Sequence, residues 1–233
     1  MAEKKTHMQL FQPVDLTQGT CWKTILVFSL PVILSYLLQQ IYTISDAAIV
    51  GQTLTAAEVA GVNDTNSLVF IFLQFAFGVS AGFCVITSYY VGMHDERGVR
   101  RSLATQLLLS AALTVVLTAL AMALAQPMAH LFVGYDADLF ALTVHAFRLF
   151  AWSFLLAGFN IFTSGFFTAL NNGAVSAAIS FLRTLVFQSA SVLILPVFFG
   201  VDGIWWAITV AEVFAFLISG MFLLLKRNKY HYM

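Results

Sequence analysis

Residues 66–92 read NSLVFIFLQFAFGVSAGFCVITSYYVG, with no Asp, Glu, Lys, Arg or His among them. At about 1.5 Å of rise per residue, a helix of this length outreaches the roughly 30 Å hydrocarbon core of a bilayer. Apolar side chains fall on every face of it, which marks a membrane span rather than the one-sided helix of a soluble bundle. Working outward, similar runs predict helices over 23–48, 102–129, 139–169, 174–198 and 204–226. The breaks between them carry ordinary loop chemistry: Gly51 and the polar stretch after it, His94–Arg101, Gly134–Asp138, Asn171-Asn172-Gly173 and Gly200–Gly203. The chain as a whole is 60% hydrophobic and 9% charged, with a mean hydropathy of +0.88. Soluble domains carry about 25% charged residues. The predicted fold class is an all-α membrane protein of six transmembrane helices, a multi-pass protein of the cell (plasma or inner) membrane.

The bases set an orientation. Lys4, Lys5 and Lys23 precede the first predicted helix, Arg97, Arg100 and Arg101 follow the second, and Lys226, Arg227 and Lys229 follow the sixth. The opposite loops hold Glu58, Asp64, Asp136, Asp138 and Asp202 and no Lys or Arg. The positive-inside rule then places both termini in the cytoplasm, with 1–22 a cytoplasmic N-terminal segment and 227–233 a cytoplasmic tail. Residues 1–20 lack the uninterrupted apolar core of a cleavable signal peptide, so the first span is expected to stay in the membrane.

Composition also excludes. Eleven bases balance eleven acids, so nothing attracts nucleic acid. Cys21 and Cys84 stand apart, which is neither a disulfide framework nor a metal spacing. No nucleophilic triad and no phosphate loop occurs, and the histidines are scattered. The expectation is a protein that is not an enzyme, with no cofactor and no metal site; its partners are the lipid bilayer and a small organic molecule.

The first helix carries the most specific polar pattern. Ser35, Gln39, Tyr42 and Asp46 follow one another at spacings of four, three and four, one face of a helix. A carboxyl inside or at the edge of the hydrocarbon is a functional-site hypothesis by default, and no base after Lys23 is available in the same helix to neutralise Asp46. Asp46 either exchanges a proton or meets a cation in a protein-lined cavity, or it marks the outer end of the span and points into headgroup water. Pro31 is a candidate kink. Gly78-Val-Ser-Ala-Gly82 is a small-xxx-small pattern expected to let the first and second helices pack closely. In the second half Arg148, Arg183 and Glu212 lie well inside their spans. Arg148 and Glu212 sit at matched depth from the outer ends of their helices, which predicts a buried ion pair between them, with Arg183 free to snorkel toward the cytoplasm.

Residues 15–131 resemble the start of a multidrug and toxic-compound extrusion (MATE) transporter. The resemblance is carried by Asp15–Gly19, Trp22-Lys23, Phe28-Ser-Leu-Pro31, Gln39-Gln-Ile-Tyr42, Asp46, Val50-Gly51, Gly78, Gly82, Tyr90-Val-Gly92 and Arg97–Arg101. Residues 139–233 resemble the last three helices of such a protein, through Phe154–Asn160, Ser164–Leu170, Ser180-Phe-Leu-Arg183, Gly203-Ile-Trp205 and Ala211-Glu212. What the resemblance implies is one six-helix lobe built from 23–131, MATE-like helices one to three, and 132–226, the final three helices, joined near Ala125–Phe132. It further implies a cation-coupled antiporter, driven by protons or sodium, that exports organic, cationic or amphipathic compounds. Asp46 would be the ion-coupling carboxyl and Ser35, Gln39 and Tyr42 would line the substrate path. Because a full member has two lobes of one orientation, the resemblance also implies pairing of two copies as a homodimer. A truncated remnant that does not transport, and a lipid-linked oligosaccharide flippase of the same superfamily, are the alternative readings; the flippase would need a strongly basic cavity.

Overall fold

The computed structural model describes residues 20–53 and 55–230; at some of these, among them Pro31, Ser35, Tyr42 and Asp46, it describes the backbone alone. The described chain is helical throughout: α1 (Cys21–Thr53), α2 (Ala56–Gly92), α3 (Glu96–Val133), α4 (Ala137–Ala151), α5 (Phe154–Ala169), α6 (Gly173–Phe181), a π-helical segment (Leu182–Gln188), α7 (Ser189–Phe199) and α8 (Val201–Tyr230). Four described stretches are long and apolar enough to cross a membrane, Val59–Gly92, Glu96–Val133, Gly173–Phe199 and Asp202–Arg227, and α4 with α5 forms a fifth if that bent pair is one span. The protein is therefore a multi-pass membrane protein.

Four of the five predicted breaks separate helices where expected, and their residues show why; Gly51 instead lies inside α1. His94 and Asn171 adopt left-handed φ values of 54° and 57°, ending α2 and α5. Asp95, Asp136 and Asn172 then cap the next helices by accepting backbone N–H groups from Gly98, from Asp138 and Leu139, and from Val175. Gly200, at φ +60°, closes α7.

Two predicted helices are not uniform. The run 139–169 bends by 52° between α4 and α5. At that point the ladder tightens: Ser153 N–H bonds to Phe150 O at 2.8 Å and Leu156 N–H to Ser153 O at 3.1 Å, both three residues apart. The run 174–198 is interrupted by the π segment. The polar stretch before residue 66, read as a loop, instead continues α2 back to Ala56. Val62 is buried there against Ala146 and Trp205, so the extra turns have packing to gain. α3 runs unbroken through 125–132 with Pro127 inside it.

The core lies among α2, α3, α4 and α5. Along α3, Leu117, Ala121, Ala125, Ala129 and Val133 repeat every four residues, and all five are buried. Small side chains at that spacing let neighbouring backbones approach, and Phe72, Phe147, Phe150 and Phe154 fill the space against them. Close approach elsewhere uses the glycines of α5. A Cβ on Gly158 would collide with Thr114 Cγ2 of α3, and one on Gly165 would lie 2.8 Å from Cys84 Sγ of α2. By contrast, Gly78 and Gly82 are exposed and a Cβ on either meets nothing within 4 Å. The expected α1–α2 seam at these glycines is not formed, because α1 packs chiefly on α6 and the π segment.

Candidate functional site

None of the described residues of α1 is buried. Between this helix and the rest of the bundle lie two cavities that share Gln39, Phe77, Arg183 and Thr184 in their walls. The larger, about 320 Å³, is walled by Tyr36 and Gln39 of α1, Ser80 and Cys84 of α2, Ser164 and Thr168 of α5, Ser176 and Ser180 of α6, and Arg183 and Thr184 of the π segment. The smaller, about 170 Å³, adds Thr43, Ser153 and Glu212. Ser153 is buried and its hydroxyl has no hydrogen-bond partner among the described residues. A volume near 320 Å³ is at the small end of the roughly 300–1,000 Å³ that organic ligands occupy.

Glu212 is 5% exposed, and the predicted Arg148–Glu212 pair does not form. Its partner is Arg183, whose Nη2 and Nε lie 2.6 and 2.8 Å from Oε1. Its second oxygen accepts from Asn160 Nδ2 at 2.7 Å, and that amide also donates to Glu212 O at 3.1 Å. Arg148 is exposed, on the α4 face it shares with Ala141 and His145. Matched depth along two helix axes does not make two residues face one another, and the buried positions of α4 (Val144, Phe147, Ala151) occupy the other side. Nor does Arg183 snorkel. It stands ten residues into the 27-residue stretch Gly173–Phe199, near mid-membrane, where a charge persists only if it is paired.

The π segment is what aims it. Inserting a residue into a helical ladder rotates every side chain beyond the insertion, and such bulges gather at functional sites. One turn earlier is a hydroxyl cluster: Thr168 Oγ1 donates to Ser176 Oγ at 2.8 Å, Ser176 and Ser164 are linked at 2.8 Å, and Ser164 and Ser180 at 3.1 Å. Asn160 and these four hydroxyls are not among the residues that the sequence singles out as a site. A signal for the hydroxyls exists, since Ser164 and Thr168, and Ser176 and Ser180, are each four apart on apolar helices. Of the predicted path residues, Gln39 lines both cavities, while the side chains of Ser35, Tyr42 and Asp46 lie outside the described residues. Among the described residues no group of three or more His, Cys, Asp or Glu could hold a metal ion.

The fold and the site together define a helical membrane bundle with a polar, ion-paired cavity beside α1. The chain belongs to the MatE family, whose family model matches residues 31–192. Among curated proteins it is 23% identical, over 221 residues, to a probable multidrug resistance protein, YoeA, of Bacillus subtilis (strain 168), covering 89% of this chain and 46% of that one. Its fold matches a MATE-family multidrug resistance transporter of the MOP superfamily in the outward-facing conformation (TM-score 0.83, 19% identity, 91% of this chain and 48% of the other). It matches the inward-facing conformation of such a transporter equally (TM-score 0.81, 19% identity, 93% and 51%). The chain thus spans about half the length of the relatives it matches.

Proposed function

We propose that this chain is one six-span lobe of a cation-coupled exporter of amphipathic organic compounds, with both termini cytoplasmic and residues 23–131 and 132–226 as its two three-helix parts. The observation that carries the reading is the cavity pair walled by Gln39 and Arg183, a polar chamber between α1 and the rest of the bundle. In the sequence, position 46 lies seven residues beyond Gln39, a spacing of two turns along one helical face. Asp46 is the proposed coupling group, loaded by a proton or a sodium ion, with Ser35, Gln39 and Tyr42 along the approach. A second lobe would close the open side of the chamber, and a second copy of this chain, in the same orientation, is the proposed source of it.

The test is efflux of a fluorescent organic compound from membrane vesicles under an imposed proton or sodium gradient. Asp46→Asn keeps the side-chain shape and removes the titratable charge. It is expected to abolish gradient-driven efflux at unchanged abundance. Full activity in that variant would remove Asp46 from the mechanism, and no activity in either protein would favour the remnant reading.

A further inference from the structure

The geometry points to the larger cavity as the seat of an organic anion, a carboxylate, sulfonate or phosphate carried on an apolar body. This deepens the transporter reading above and rests on it, and it departs from the cationic cargo that the family resemblance implies.

Charge is the first argument. Among the described residues lining this cavity, Arg183 is charged and no Asp or Glu is present. Its Nε and Nη2 both bond to one oxygen of Glu212. A guanidinium offers five N–H donors in a planar fork, so this single-oxygen pairing leaves the Nη1 edge unengaged by Glu212. Glu212 lines the smaller cavity and not the larger one, and its second oxygen is held by Asn160. In the larger cavity an anionic group would find donors, whereas a cation would find the guanidinium and, among the described lining residues, no carboxylate.

The hydroxyl cluster is the second. Thr168 donates to Ser176, and in the Ser176–Ser164 and Ser164–Ser180 links either hydroxyl can donate, so an anion beside Ser180 would turn the chain to deliver its last proton there. Ser180 stands three residues before Arg183, on the same side of the helix. Ser180 and Arg183 both line the larger cavity, so a hydroxyl and the guanidinium edge that Glu212 leaves unengaged can serve a pair of anionic oxygens, the arrangement that charge-assisted recognition of a carboxylate or sulfonate uses. Phe77 and Ile161 supply an apolar wall for the body of the ligand. Two carriers have this chemistry, a soluble amphipathic anion and an anionic lipid headgroup.

Cys84 lines the same cavity, and in a Cys21→Ser chain it is the sole thiol, so its alkylation by a maleimide reads occupancy directly. With the full chain in nanodiscs of zwitterionic lipid, 2-naphthalenesulfonate is expected to slow alkylation roughly five-fold or more, and 2-naphthyltrimethylammonium, the same body with the opposite charge, less than about two-fold. Arg183→Gln combined with Glu212→Gln removes the guanidinium without stranding a carboxylate. It should raise the half-protecting sulfonate concentration by about ten-fold or more, and Ser180→Ala by about three-fold, at unchanged helicity. Phosphatidylglycerol nanodiscs that protect Cys84 without the sulfonate, and do so through Arg183, would assign the headgroup as the anion. Equal protection by the ammonium compound, sulfonate protection that survives the double substitution, or no protection by any anion would overturn the proposal. Efflux plays no part in this readout: anion protection without vesicle transport would leave the seat standing and sink the exporter reading, and cation efflux without anion protection would do the reverse.

Discussion

The α2–α5 side of the bundle and the α1, α6–α8 side bury their polar groups in different ways. On the first, polarity is walled in: Gln106 Nε2 lies within 3.0 Å of Phe83 O, Thr87 Oγ1 and Ser102 Oγ, and phenylalanines and alanines close over the rest. On the second, polar side chains converge on empty volume, joined there by Ser80 of α2 and Ser164 and Thr168 of α5, and Arg183, paired with Glu212, borders both cavities. The same apolar solvent surrounds both sides. What differs is that one side uses its small residues, Ala121, Ala125, Ala129 and Gly158, for close helix approach, and the other leaves α1 standing off so that a chamber remains.

The largest effect should come from the hinge of that contrast. Glu212→Gln or Arg183→Gln leaves a buried charge unpaired and is expected to cost about 3–5 kcal/mol, with the double substitution far milder. Arg148→Gln, on the exposed face, should stay within about 0.5 kcal/mol. Denaturation of the purified variants reads all four, and an Arg148 effect as large as that of Arg183 would break the assignment of the pair. Next in size is Gly158→Ala, which drives a methyl into Thr114 and should destabilise by roughly 1–3 kcal/mol. Gly78→Ala and Gly82→Ala, with open space at the Cβ, should be close to neutral; thermal melting that ranked Gly78 above Gly158 would restore the α1–α2 seam.

Those two pairs of substitutions also mark how far the sequence was legible. Apolar run length and turn residues were enough to locate the helices, because bilayer thickness and left-handed turn residues such as Asn171 act locally. Which way a residue faces was not legible, because it depends on neighbours distant in sequence. Arg148 and Glu212 share a depth, yet α8 presents Glu212 to the π segment. Gly78 and Gly82 share a motif with packing glycines, yet the helix that would fill the groove lies elsewhere. The π segment and the Trp152–Ser153 bend leave no Pro or Gly to read, so the site they aim was visible only as hydroxyls spaced by four.

Smaller differences sharpen the comparison. Gln106→Ala, which leaves neighbours in a closed interior without their donor, should cost about 1–3 kcal/mol, whereas Ser180→Ala beside a cavity should cost under about 1 kcal/mol. Hydrogen exchange at α3 amides would report the first and not the second. Smallest of all should be Asp202→Asn, which removes a half-exposed partner of His145 at 3.1 Å; melting temperatures should hardly move, since exposed ion pairs contribute about 0–1 kcal/mol.

The measurement that bears most directly on the whole account is alkylation of single introduced cysteines by a water-soluble maleimide in native membranes, since a thiol reacts only where water can ionise it. Cysteines at Gln39, Thr43, Ser80, Thr168 and Ser176 should react, and those at Ser110, Thr118, Ala125 and Ala129 should not. Equal reactivity along α3, or none at the five chamber positions, would contradict the division of this bundle into a closed side and an open one.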